Sequence, residues 1–241
     1  MKGFFQSHVF KADFVAPLCL VLMGFPPVDV VAAEPLSNVK WTTVAHAVFD
    51  EEDDATLYLY SPDAGVKTKI AGGVATMAGI SEVNGYAEPA VWRPIGGDDR
   101  TLVEVAVDFK AADTQAASVV LGLPSSAGIW CMVYNGGYFA HPTHFTVPFT
   151  VTHFKDPSFK FGDEGKVFHS LRMVHNRATM ELSYFADDVL LSVVQFKKPV
   201  DSLSLVQANV ETSVKGVRVD VSFDNLRVRV AGPRLSAKRS D

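Results

Sequence analysis

Paired carboxylates on one strand face are the simplest route to acid–base chemistry, and Glu104 and Asp108 are such a pair. They share a face of the alternating segment 101–110 (TLVEVAVDFK), opposite Val103, Val105, Val107 and Phe109. Four residues along a strand separate them by roughly 13 Å, beyond the spacing either glycosidase mechanism uses. A solvent-facing stripe is therefore expected there. The acidic run 50–54 (DEEDD) lacks the Asp-x-Asp-x-Asp-Gly pattern of a calcium loop and reads as a solvated turn. Asp224 is the candidate ligand for a structural calcium. It stands where the apolar phase of the last strand breaks, and could equally bond local backbone amides.

Imidazoles and nucleophiles offer less. His141 and His144, with His153 nearby, have an intervening proline, no adjacent carboxylate and no zinc spacing. His169 is in phase with Val167, Leu171 and Met173, which predicts a buried, hydrogen-bonded core histidine. No Ser-His-Asp arrangement, phosphate-binding glycine loop or CxxC pair occurs, so no catalytic residue is assigned.

Binding residues are easier to nominate. The stretch 134–141 (YNGGYFAH) joins an Asn-Gly-Gly turn to aromatic groups, making Tyr134, Asn135, Tyr138 and His141 candidates. Trp92 and Arg93, beside a glycine-rich turn, are two more. Aromatic faces stack on sugar rings while neighbouring polar groups fix hydroxyls. The alternative is that these aromatics plug the ends of the fold.

The elements that must hold these residues are strands. Segments 118–123 and 129–134 flank the turn PSSAG, and 166–196 reads as a three-strand meander with short connections. The segment 216–230 alternates throughout, but Val217 to Phe223 and Leu226 to Val230 fall in opposite phases, so a bulge or corner is expected at Asp224. No window beyond the first 33 residues has sustained helical periodicity. The expectation is an all-β chain, a two-sheet antiparallel β-sandwich.

Residues 1–33 combine Lys2 and Lys11, an apolar run and Val31-Ala32-Ala33, and read as a secretory signal peptide; retention as an anchor is the alternative. A domain over 34–232 and a polar tail over 233–241 would follow. Cys19 would leave with the signal, and Cys131, between Trp130 and Met132, is expected to be a small core residue. The net charge of −5 gives no support to nucleic acid as a partner, and no later apolar run is long enough for a transmembrane segment. The expected location is secreted, periplasmic or extracellular.

Three features together resemble the concanavalin A-like lectin/glucanase superfamily, in particular its laminin-G-like jelly rolls. They are the strand pair around 119–123 (VVLGL) and Trp130, the meander with 169–172 (HSLR) and the 184–188 hairpin, and the closing 221–228 (VSFDNLRV). The similarity covers roughly residues 100–230. It implies a twisted sandwich whose relatives range from sugar-binding and adhesion modules to glycosidases. The glucanases of that superfamily carry E-x-D-x-x-E on one strand, and this sequence lacks it. The reading is an exported, non-catalytic module for a glycan or cell-surface polysaccharide. A glycoside hydrolase or polysaccharide lyase with acids from separate strands, or a structural adhesion protein, are the alternatives.

Overall fold

Period-two alternation governs the chain, and in the computed structural model the described residues form fifteen strands. The residues described are 38–49, 57–83, 90–94, 99–111, 117–125, 128–135, 138–140, 147–154, 161–163, 165–200, 205–212 and 214–235. The strands are β1 (Thr42–Ala47), β2 (Tyr58–Tyr60), β3 (Val66–Ala71), β4 (Val74–Ile80), β5 (Ala90–Pro94), β6 (Arg100–Ala111), β7 (Ala117–Ser125) and β8 (Gly128–Asn135). After them come β9 (Tyr138–Ala140), β10 (Phe149–Phe154), β11 (His169–Asn176), β12 (Glu181–Ala186), β13 (Val189–Phe196), β14 (Leu205–Thr212) and β15 (Arg218–Arg234). All lie in the compact unit Val39–Asp241.

Two antiparallel sheets result. The larger runs β10-β13-β12-β11-β6-β15-β4-β3, with β1 also on β15, and the smaller runs β2-β5-β14-β7-β8-β9. Strand β15 organises the larger sheet. One edge pairs with β6, while the other serves β4 over Arg218 to Phe223 and β1 over Leu226 to Val230. Between the sheets lies one core. Val105, Val107, Phe109, Val221 and Phe223 come from the larger sheet, and Val91, Leu121, Val206, Ala208 and Val210 from the smaller. Phe109 and Phe223 are cross-strand partners and fully buried, so truncating either to alanine would cost about 3–5 kcal/mol.

The phase break in β15 is a bulge and not a corner. Pairing with β6 slips between Asp224 and Arg227, which returns Leu226, Val228 and Val230 to the same core as Val219 to Phe223. Asn225 takes φ 50°, a left-handed conformation that asparagine tolerates better than most residues. Past Gly232, where a polar tail was expected, β15 continues to Arg234, opposite Arg100.

The meander has its expected order with tighter limits. Asp187 and Asp188 both have positive φ (44° and 63°), as a two-residue primed turn requires. At the other turn, Asn176 Oδ1 accepts the N–H groups of Ala178 and Thr179 at 3.1 and 3.3 Å. Val167, placed in the strand by phase, is instead outside it and 56% exposed. Asp163 Oδ2 accepts the Val167 N–H at 2.8 Å, which holds that residue in a turn and delays β11 to His169.

Candidate functional site

Inner and outer positions of the smaller sheet follow from β14. Val206, Ala208 and Val210 are buried in the core, and Gln207, Asn209 and Glu211 take the opposite, outward phase, where Gln207 and Asn209 are also buried. Directly opposed residues in a ladder share a face. One outward row therefore runs Tyr58, Trp92, Gln207, Gly122, Cys131 across β2, β5, β14, β7 and β8. A second runs Tyr60, Ala90, Asn209, Val120, Val133, Ala140. A third joins Glu211, Ser118, Asn135 and Tyr138.

These rows sort the nominated residues. Trp92 stands in the ladder row of Gln207, and Asn135 and Tyr138 in that of Glu211, whereas Arg93 pairs with Val206 and Tyr134 with Val119 in the alternate rows. His141 lies outside the described residues, as do 50–54 and 1–33. Cys131, expected in the core, lies on β8 opposite Gly122 of β7. Tyr58 and Tyr60 were not singled out; they are 58% and 48% exposed, on an edge strand. Their signal was the short alternation Tyr-Leu-Tyr. Gln207 Nε2 donates to Asn209 Oδ1 at 3.3 Å, and Asn209 Nδ2, buried, has no partner among the described residues.

The outward face of the larger sheet differs. Glu104 is not part of a solvated stripe; it is 1% exposed. Arg229 holds it through two parallel bonds, Nε to Oε1 at 2.7 Å and Nη2 to Oε2 at 2.8 Å. Arg172 Nη1 is 3.6 Å from Oε2, and Arg227 Nε 4.0 Å from Oε1. Arginines from the neighbouring strands lie over a position that strand phase alone assigned to water. Their alternation at 227 and 229 was the available signal.

Asp108 accepts a bond from Asn225 Nδ2 at 2.9 Å, and Asp224 Oδ1 accepts the Asn225 N–H at 2.6 Å. Asp224 thus stands at the bulge and bonds a local amide. Among the described residues no group of three or more histidine, cysteine or acidic side chains is placed to hold a metal.

His169 is mostly enclosed and held at both nitrogens. Nε2 is 2.7 Å from Asp163 Oδ1, Nδ1 is 2.6 Å from Asp187 Oδ2, and the ring stacks on Phe161 at 3.6 Å. Burial pushes the Asp163 carboxyl up, but His169 and the N–H groups of Val167 and Gly165 outweigh it and bring the group to about 2. With both nitrogens occupied, His169 clamps the segment before β11 to the β12–β13 turn and has none free for proton transfer. The deeply buried histidine is His175, 2% exposed, which burial and then the Arg177 charge push down to about 3.

No protein-family model matches the sequence, and no curated protein does. Solved structures match it in fold. An endo-β-1,3-glucanase from Pyrococcus furiosus is similar over 80% of this chain and 97% of its own, with TM-score 0.54 and 11% identity. Arcelin-5, a lectin-like defense protein from Phaseolus vulgaris, is similar over 78% of this chain and 97% of its own, with TM-score 0.50 and 10% identity. A sialidase is similar over 78% of this chain, with TM-score 0.51 and 14% identity, and the chain spans 19% of that protein's length. Such identities speak to fold and not to activity. Two antiparallel sheets around one core, closed by a long bulged strand, together with these likenesses, give this chain a jelly-roll β-sandwich fold.

Proposed function

We propose that the domain binds carbohydrate on the outer face of the six-stranded sheet, without cleaving it. The row Tyr58, Trp92, Gln207, Gly122 carries this reading. Tyr58 is exposed and offers a face on which a sugar ring can stack, and the ladder sets Trp92 and then Gln207 beside it in the same row. Two proteins of the same fold, an endo-β-1,3-glucanase and a lectin-like protein, support a carbohydrate role. The missing E-x-D-x-x-E run supports binding over hydrolysis. We also assign residues 1–33 to export and a cell-surface or free polysaccharide as the partner; N-terminal sequencing of secreted protein should begin at Glu34.

A glycan array followed by calorimetry tests the main claim. Tyr58→Ala and Trp92→Ala should each weaken the best glycan by about tenfold, the loss of one stacking partner. Tyr58, being exposed, should do so without lowering the melting temperature. Unchanged affinity in both variants overturns the site. Release of shorter sugars from the bound glycan overturns the non-catalytic part.

A further inference from the structure

The centre of the outer face of the nine-stranded sheet is basic, in a chain of formal net charge −5. Strand β15 sets Arg227 and Arg229 two residues apart, and β11 contributes Arg172 from the far side of β6. Arg227 and Arg172 both stand opposite Ala106, and Arg229 stands opposite Glu104. His46, exposed, pairs with Arg227 from β1.

Two of the three guanidiniums are answered. Arg229 is committed to Glu104 and faces the Trp41 ring at 5.3 Å. Arg172 donates to Asp188 at 2.9 Å and lies over the Phe185 ring at 4.0 Å. The Arg227 guanidinium has only the 4.0 Å approach to Glu104 and makes no hydrogen bond with any described residue. Its side chain is 27% exposed, so its stem is fixed on the sheet while its head reaches water. A planar fork of N–H donors held that way matches a carboxylate or a sulfate.

We propose that Arg227 heads an oxyanion site, flanked by Arg172, Arg229 and His46, whose ligand is an acidic saccharide bearing carboxylate or sulfate groups. Arg227 and Arg172 flank Ala106, which is fully buried beneath them, each about 4.8 Å to either side in strand spacing. A peptide adding as a strand is disfavoured, because β15, β6 and β11 are interior strands with no open edge. The site is on the opposite sheet from the aromatic row and does not depend on it.

The full chain is passed over immobilised heparin, DNA-cellulose and neutral dextran, and eluted with sodium chloride. Retention on heparin alone is expected. Arg227→Gln, confirmed as folded by an unchanged melting temperature, should bind heparin about tenfold more weakly, the loss of one charge-assisted fork. Tyr58→Ala should elute with the wild type. Passage of the wild type through heparin, or co-elution of Arg227→Gln with it, overturns the site. Equal retention on DNA-cellulose overturns the saccharide assignment, as does displacement by inorganic sulfate at the sulfate concentration contributed by heparin.

Discussion

The outward faces of the two sheets are built on the same pleat and treat their polar residues in opposite ways. On the larger sheet Glu104 is buried and held by Arg229, Asp108 by Asn225, and Arg172 by Asp188. Each of those groups has a partner on an adjacent strand or turn. On the smaller sheet Gln207 and Asn209 answer each other once and leave Asn209 Nδ2 unmatched, while Tyr58 and Tyr60 stay exposed. A polar residue on a sheet's outer face serves the fold when its neighbours complete its bonds. To be open to a ligand it must also be exposed, as Tyr58 and Tyr60 are and Gln207 and Asn209 are not.

The sharpest way to break this contrast is to remove the acid that the arginines share. Glu104→Ala strips a buried carboxylate from Arg229, Arg172 and Arg227, and should destabilise the protein by about 3–5 kcal/mol in urea unfolding. Glu104→Gln keeps an acceptor and should cost less. A Glu104→Ala variant as stable as wild type would show that the face is no part of the fold's support.

Acid should act next, and on the larger sheet. The native pKa of His175, about 3, lies below its ordinary 6.5, so its contribution is whole above 6.5 and is lost as pH falls toward 3. Asp163, at about 2 against 3.8, contributes in full above 3.8 and loses that as pH falls toward 2. Melting temperatures followed from pH 8 to pH 2 should therefore decline in two successive windows. His175→Phe should flatten the first, and Asp163→Asn the second. A wild-type profile flat between pH 6.5 and 4 would contradict the buried neutral imidazole.

The smallest effect is expected at the bulge. Asp224→Ala removes the acceptor for the Asn225 N–H and should cost about 1–3 kcal/mol, read as a shift of the urea midpoint. If that bond is the whole of its role, a chelator leaves the wild-type melting temperature unchanged. A chelator-induced drop in the wild type, absent from the variant, assigns a cation to Asp224 instead.

Much of the fold was legible because burial leaves a period in the chain. The alternation of 101–110, the hairpin at Asp187 and Asp188, and the phase break at Asp224 each report a local constraint, and each stands where the pattern put it. The candidate site was legible only in fragments. Trp92 attracted notice by its type, but that it shares a row with Tyr58 and Gln207 depends on β5 pairing with β2 and β14, strands from distant parts of the chain. Tyr134 and Arg93 looked equivalent to Trp92 by composition, and pairing placed them in the opposite phase. The same holds for Glu104, whose burial rests on an arginine 125 positions away.

By itself the sequence determined strand content, the class of sandwich and the position of the bulge, because φ/ψ preference and alternation are properties of neighbouring residues. Tertiary structure alone decided which outward residues are solvated, which are clamped and which stand together. Ladder register joins residues from distant segments, and a one-residue slip would exchange every face.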